Sequence, residues 1–240
     1  MAESTKPDLS LTDAPFNGGV FADKLAADCA TLRLPLNNIQ IDRLLNYLAQ
    51  MLRWNRTYNL TAIREPEQML LHHIVDSLSV VPELAQHLQG KPARILDVGS
   101  GGGLPGVVLA IAKPDWEVCC VDAVEKKTSF VRHIASVQAL KNLSAVHSRV
   151  EDLALTHSDI VISRAFASLQ DFAALAGRHV RQGGSLVAMK GHPPEEEITT
   201  VRDQGEWRVT GVTPLYVPRL SARRCLVWMD RGDVAQEGEA

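Results

Sequence analysis

Residues Arg94 to Gly106 read R-I-L-D-V-G-S-G-G-G-L-P-G. An apolar run (Ile95, Leu96, Val98) carries Asp97 at its end and passes into Gly99, Gly101, Gly102 and Gly103, followed by Leu104 and Pro105. The apolar stretch Val107 to Ile111 comes next. That order predicts a buried strand, a tight glycine turn and a helix whose first turn holds Pro105. Glycines at such a turn permit positive φ and let a ligand lie against backbone that has no Cβ. The helix start behind the turn is expected to offer N–H groups and partial positive charge to an anionic part of a ligand. The segment therefore predicts a pocket of nucleotide type.

Two cofactors compete for it. A dinucleotide fingerprint G-x-G-x-x-G passes through Gly101, Gly103 and Gly106, a pattern that any glycine-rich turn satisfies easily. In that fingerprint the first glycine comes directly off the strand, so that a pyrophosphate can sit on the helix N-terminus. Here Asp97 stands before the first glycine, where its carboxylate would repel a pyrophosphate and suit an ammonium group. S-adenosylmethionine carries an ammonium and a sulfonium and no phosphate. D-x-G-x-G-x-G is the glycine spacing of Rossmann-like methyltransferases. A second apolar stretch, Trp116 to Val121, ends in Asp122, an acid placed to accept hydrogen bonds from both ribose hydroxyls. That feature fits either cofactor.

Around this segment the pattern alternates. Strands are expected at 93–98, 116–121, 143–148, 158–163 and 185–190, with helices near 104–113, 125–140 and 168–181. A helix near 194–204 and strands near 207–216 and 223–229 would complete the sheet, with a hairpin loop from Val217 to Ala222. The reading is an α/β fold of the Rossmann-like class I methyltransferase type. It has a mostly parallel seven-stranded sheet with helices on both faces, and a helical segment before it. In that segment Ile41, Leu44, Leu45, Leu48, Met51 and Leu52 recur at helical spacing. A further helix starts near Pro66, and Pro82 should end or bend it. The expected organisation is a flexible tail over 1–17, a helical lid over 18–89 within the same domain, a core over 90–230 and a second tail over 231–240.

Composition narrows the classes. The chain has 240 residues, 45% of them hydrophobic, and a net charge of −3. No run of about 18 apolar residues is free of charge, so no membrane span is expected. The polar start lacks a signal-peptide pattern, and the four cysteines include the adjacent pair Cys119-Cys120 and no C-x-x-C. Both features predict reduced thiols in a cytoplasmic protein. The eight histidines lack metal-site spacing, so no metal is expected. A negative net charge means that nucleic-acid binding, if present, must rest on a local basic patch.

In an open parallel sheet the ligand lies beyond the carboxyl ends of the strands. Three of those expected ends carry a base: Arg149, Arg164 and Lys190. The fourth strand ends in Ser163-Arg164-Ala165-Phe166, which is not the D/N-P-P-Y/F tetrad that holds exocyclic amines for methylation. No cysteine falls at an expected strand end, which removes the nucleophile needed for C5 methylation of a base. A target that needs no deprotonation, such as guanine N7, remains compatible.

Several segments together carry a family resemblance: Trp54-Asn55-Arg56-Thr57-Tyr58-Asn59-Leu60-Thr61, His73-Ile74-Val75-Asp76-Ser77-Leu78, the glycine loop ending Leu104-Pro105-Gly106, Ser163-Arg164-Ala165-Phe166-Ala167-Ser168-Leu169, and Lys190-Gly191. In order and spacing, over roughly 37–230, they resemble the RsmG (GidB) family of bacterial 16S ribosomal RNA guanine-N7 methyltransferases. The resemblance implies S-adenosylmethionine as cofactor, and as partner the small ribosomal subunit or its assembly intermediate. It implies cofactor contacts from Asp97, Gly99, Gly101, Gly103, Leu104 and Asp122, with Val150 and Glu151 along the adenine. Arg164 would reach the methyl end, acting by positioning, with no general base. Lys126, Lys127, Arg149 and Lys190 would face RNA. Glu125, beside the basic pair, departs from the family's pattern, while Asn55, Asn59 and Asp76 read as caps and brackets of the helical lid. The competing readings are a small-molecule methyltransferase, a nicotinamide-dependent oxidoreductase and a non-catalytic S-adenosylmethionine sensor.

Overall fold

The computed structural model describes residues 18–164, 166–204 and 206–232. The expected tail at 1–17 lies outside the described residues, as do Ala165 and residues 233–240 of the tail expected over 231–240; Arg231, expected in that tail, is the last residue of the strand Arg224–Arg231. Seven strands form one sheet in the order β3-β2-β1-β4-β5-β7-β6. They are β1 (Ala93–Val98), β2 (Trp116–Asp122), β3 (Leu143–His147), β4 (Ser158–Ser163), β5 (Val180–Lys190), β6 (Trp207–Leu215) and β7 (Arg224–Arg231). The pairings β1–β2, β1–β4, β2–β3 and β4–β5 are parallel, while β7 runs antiparallel between β5 and β6. The strand order reverses between β1 and β4, so the switch point lies where the glycine loop leaves β1.

Side-chain alternation gives the sheet two apolar faces. Ile95, Val118, Cys120, Ile160 and Ile162 point to one face, which is covered by α6 (Gly106–Ala112), α7 (Glu125–Val137) and the N-terminal helices. Leu96, Val98, Val121 and Val161 point to the other, under α8 (Leu169–Ala176) and α9 (Glu195–Gln204). The N-terminal helices share the first cluster: Leu44, Leu48 and Met51 bury against the same core as Val107 and Phe130. These helices are α1 (Gly18–Thr31), α2 (Asn38–Tyr58), α3 (Pro66–Met69), α4 (Asp76–Leu78) and α5 (Val81–His87).

Three local expectations needed revision. Pro105 is the cap before α6 and not a residue of its first turn. Pro82 lies in the first turn of α5, where its missing N–H costs nothing, so it opens a helix after the turn at Ser79–Val80. β5 starts at Val180, five residues earlier than expected. Val180 pairs with Ser158 ahead of a register shift, and Gly183 at φ 72° breaks the apolar pattern there. Between α3 and α4 the chain forms one π-helical turn, Leu70–Val75, which widens the helix where His72 and His73 sit.

α2 begins with a capping box from Asn37 to Gln40, and the Gln40 amide donates to the carbonyls of Ile111 and Ala112 at the far end of α6. Further along, Tyr47 Oη donates to Gly102 O at 2.6 Å. α2 therefore climbs from the base of the sheet to the glycine loop and ends beyond it.

Candidate active site

Two adjacent clefts open at the carboxyl rim of the sheet. The first, about 270 Å³, lies over the ends of β1 and β2. Gly99, Gly101 and Gly103 all have positive φ, at 67°, 58° and 95°, which only glycine adopts without strain. The Gly99 N–H donates to Val121 O, and Gly103 and Leu104 close the turn on Ser100 O. At Gly101 a Cβ would meet nothing within 4 Å, so the backbone there faces open space that a ligand can approach.

Two carboxylates hold this loop. Asp122 Oδ2 accepts from Gly101 N at 2.9 Å and Oδ1 from Val124 N at 2.8 Å, while Lys127 Nζ lies 3.7 Å from Oδ2. Asp122 lines the cleft at the end of β2. Asp97 sits differently. It is fully buried behind the loop, where Oδ2 accepts from Gly106 N at 2.8 Å and Oδ1 has no partner among the described residues. Burial raises its pKa to about 7, against the opposing pull of the Gly106 N–H and Arg164. The helix N-terminus, expected to await an anionic ligand group, is thus already occupied by the chain's own carboxylate. Behind it, Val107 N bonds Gly103 O and Leu109 N bonds Pro105 O. A pyrophosphate would have to displace Asp97 from the Gly106 N–H to bind there.

The far wall is the 3-10 turn Val150–Asp152, which stands where a β3–β4 crossover helix would otherwise run. His179 Nε2 bonds Val150 O at 2.9 Å and Arg178 donates to Glu151 O, which fixes the turn. Val150 is buried and Glu151 exposed, both on the cleft. Phe166, packed 5.0 Å from Phe172, and Leu175 complete an apolar side that the sequence reading did not assign to the cofactor. Arg149 also lines this cleft, 71% exposed and 4.0 Å from Glu151.

The second cleft, about 330 Å³, lies over the ends of β4, β5 and β7 and against the π-helical turn. The three bases expected at one cleft are therefore divided, with Arg164 and Lys190 here and Arg149 in the first. Asp76, 3% exposed, is the hub. Its Oδ1 accepts from Arg224 Nε at 2.8 Å, and its Oδ2 lies 3.5 Å from Arg164 Nη1, which also donates to His72 O. Lys190 Nζ bonds both oxygens of Glu197, at 3.1 and 2.9 Å. Asp76 thus ties the N-terminal helices to the sheet rim through two arginines. Arg224 and Glu197 were missed, because nothing near either in sequence marks a long-range partner.

The W-N-x-x-x-N-L-T stretch folds the lid's loop onto this cleft. Asn55 Nδ2 donates to Ile63 O, its Oδ1 accepts from Thr61 N, and Thr61 Oγ1 pairs with His73 Nε2 at 2.8 Å. Burial, with Arg164 adding to it, pushes His73 down to about 4, so its ring is neutral at physiological pH. Lys126 is exposed on the first turn of α7, apart from both clefts' linings. Among the described residues no three His, Cys, Asp or Glu side chains gather closely enough to hold a metal ion, and no helix is long and apolar enough to cross a membrane.

Residues 40–227 match the family described as rRNA small subunit methyltransferase G, GidB. The chain is 58% identical over 214 residues to the ribosomal RNA small subunit methyltransferase G of Bordetella pertussis, covering 88% of this chain and 93% of that protein. It is 60% identical over 209 residues to the protein of the same name from Bordetella petrii, with coverage of 87% and 82%. Among solved structures, a Burkholderia thailandensis 1,6-didemethyltoxoflavin-N1-methyltransferase with S-adenosylhomocysteine bound gives a TM-score of 0.55, at 15% identity over 83% of this chain and 92% of that one. That likeness is one of fold, the class I S-adenosylmethionine-dependent methyltransferase sheet.

Proposed function

The chain belongs to the rRNA small subunit methyltransferase G family, and from that premise we propose that it transfers a methyl group from S-adenosylmethionine to N7 of a guanine in 16S ribosomal RNA. The observation that carries the cofactor reading is the pair of carboxylates at the glycine loop. Asp97 takes the helix N-terminal donor that a phosphate would need, and Asp122, braced on the Gly101 N–H at the end of β2, would receive the ribose. With Asp97 Oδ2 on the Gly106 N–H, that donor is closed to a phosphate, which disfavours NAD(P) and suits the phosphate-free S-adenosylmethionine.

The first cleft would hold the adenosyl group, with Gly99 and Gly101 against it, Asp122 on the ribose, and Val150, Glu151 and Phe166 along the adenine. When bound, S-adenosylmethionine supplies an electrophilic methyl. Guanine N7 has a free lone pair and no proton to lose, so the protein need only align the ring and manage charge. Arg164, on the second cleft, can hydrogen-bond a planar acceptor such as guanine O6 with its fork of donors. His73, held neutral, adds no charge near the methyl. Lys126, Lys127 and Arg149 would meet RNA phosphates, while Lys190 is held by Glu197.

The test is single-turnover transfer from labelled S-adenosylmethionine to small subunits that lack the modification, followed by borohydride–aniline scission, which cuts RNA at N7-methylguanine. Label at one guanine, with scission there, is expected. Label without scission would place the methyl on another atom and overturn the N7 assignment.

A further inference from the structure

Outside both clefts, four rings gather where α2 meets α7. Trp54 lies 5.1 Å from Tyr58, 5.3 Å from Phe130 and 5.3 Å from His133, centroid to centroid. Three of these rings are wholly or half-buried, whereas Tyr58 is 44% exposed. The two helices run antiparallel: the Gln138 amide donates to Arg43 O and Asn46 Oδ1, while Trp54 packs on Phe130 and His133. Tyr58, one turn beyond Trp54, therefore lies toward the start of α7. There Lys126 is exposed, and its spacing to Phe130 and His133 puts it on the aromatic face of the helix.

The placement is rigid and close to the reaction. α2 touches the glycine loop through Tyr47 and Met51, so Tyr58 stands about 10 Å further along the helix axis, past the rim. Asn59 ends α2 in the left-handed conformation, with its N–H on Asn55 O. Asn55 is in turn tied to Thr61 and Ile63. An exposed ring on a fixed aromatic base, beside an exposed cation, has the two elements that hold single-stranded nucleic acid: a surface for base stacking and a charge for the phosphate.

We propose that Tyr58, backed by Trp54, is a stacking shelf for a base of the single-stranded rRNA next to the target guanine, with Lys126 on that nucleotide's phosphate. The proposal rests on the rRNA-methylating reading above. It assigns Tyr58 to substrate binding and to neither the cofactor nor the chemical step.

Steady-state methylation of unmodified small subunits by the full chain, together with calorimetry of S-adenosylmethionine, tests it. Tyr58→Leu keeps an apolar cover on Trp54 but has no π-face. It should raise KM for subunits roughly 5- to 100-fold, as loss of one stacked base does. Its kcat should stay within about twofold and its cofactor affinity should not change, while Tyr58→Phe restores the wild-type KM. A KM within about twofold of wild type for a folded Tyr58→Leu overturns the shelf, and so does an equal loss of cofactor affinity. If the wild-type protein itself fails to methylate subunits, the parent reading falls instead.

Discussion

The two clefts share one sheet rim and are built in opposite ways. The first is made of backbone: within six residues of β1 the chain turns through three positive-φ glycines, and Asp122 returns from the neighbouring strand to bond the loop. The second is made of long side chains from distant parts of the chain, and its charges are already paired, Asp76 with Arg164 and Arg224, and Lys190 with Glu197. A backbone pocket is selective by shape and tolerates little change. A pocket of paired charges is selective by exchange, because any phosphate entering it would have to compete with an internal carboxylate for each arginine.

The sharpest contrast lies in what a single methyl does. A Cβ at Gly106 would stand 2.4 Å from Cys120 Sγ and 2.8 Å from Asp97 Oδ2, in a fully buried helix start. Gly106→Ala should cost about 3 kcal/mol or more by overpacking and pull Asp97 off its donor. At Gly101 nothing stands within 4 Å but φ is +58°, so Gly101→Ala should fold at the cost of about 1 kcal/mol of strain and lose cofactor affinity. Denaturant unfolding and calorimetry separate the two. A Gly106→Ala protein as stable as wild type would mean that the loop is not braced from behind.

The two clefts should also respond to pH with opposite sign. Asp97 is raised from 3.8 to about 7, so the folded protein keeps a proton that the unfolded chain releases. That stability is fully present below pH 4 and is lost as pH rises to 7. His73 is lowered from 6.5 to about 4, so the folded protein refuses a proton that the unfolded chain takes up. Its contribution is present above pH 6.5 and is lost as pH falls toward 4. Asp97→Asn should therefore gain thermal stability over wild type at pH 8, by up to a few kcal/mol, with the gain fading toward pH 5. His73→Gln should flatten the acid limb alone. Parallel melting curves from pH 4 to 8 decide it, and an Asp97→Asn advantage that grows toward acid would reverse the assignment.

Function should divide along the same line. Asp122→Ala removes an acceptor at the ribose position, and S-adenosylmethionine binding should weaken by about 1–3 kcal/mol with RNA binding unaffected. Arg164→Lys keeps the charge and loses the fork, so methyl transfer should drop by more than about tenfold with the cofactor still bound. Equal transfer rates for Arg164→Lys and wild type would make Arg164 only the lid's counter-ion to Asp76.

This division explains what could be read in the sequence. The first cleft was legible because its parts are consecutive: Asp97, the glycines and the acid after the next strand follow from local backbone rules. Even so, sequence could not tell that Asp97 faces the helix start and not the open cleft, since that depends on where α6 docks. In the second cleft, Arg164 and Lys190 were legible as strand-end bases. Their partners were not, because Glu197 lies on α9, Arg224 on an antiparallel strand after the hairpin, and Asp76 behind a π-helical turn that no periodicity announces. Phe166 was visible as a strand-end residue, but its place on the first cleft depends on packing against Phe172 of α8.

The smallest effect tests whether pairing or position decides which cations serve RNA. Lys126 is exposed and no carboxylate is paired with it among the described ion pairs, whereas Lys190 is 15% exposed and spans both oxygens of Glu197. A cation that neutralises a phosphate releases a counterion, and its loss should lower the slope of log K against log salt by about one. A cation already satisfied inside the protein releases little. Lys126→Ala should therefore weaken RNA binding by only about two- to fivefold near 0.1 M salt while reducing the slope by about one. Lys190→Ala should leave the slope nearly unchanged and instead lower stability, because Glu197 loses its partner while still holding the Leu169 N–H at the start of α8. Filter binding of subunit RNA at four salt concentrations measures both slopes. If Lys190→Ala lowers the slope as much as Lys126→Ala, the Lys190–Glu197 pair opens on RNA, and the second cleft works by exchanging its internal carboxylates for phosphate at every cation.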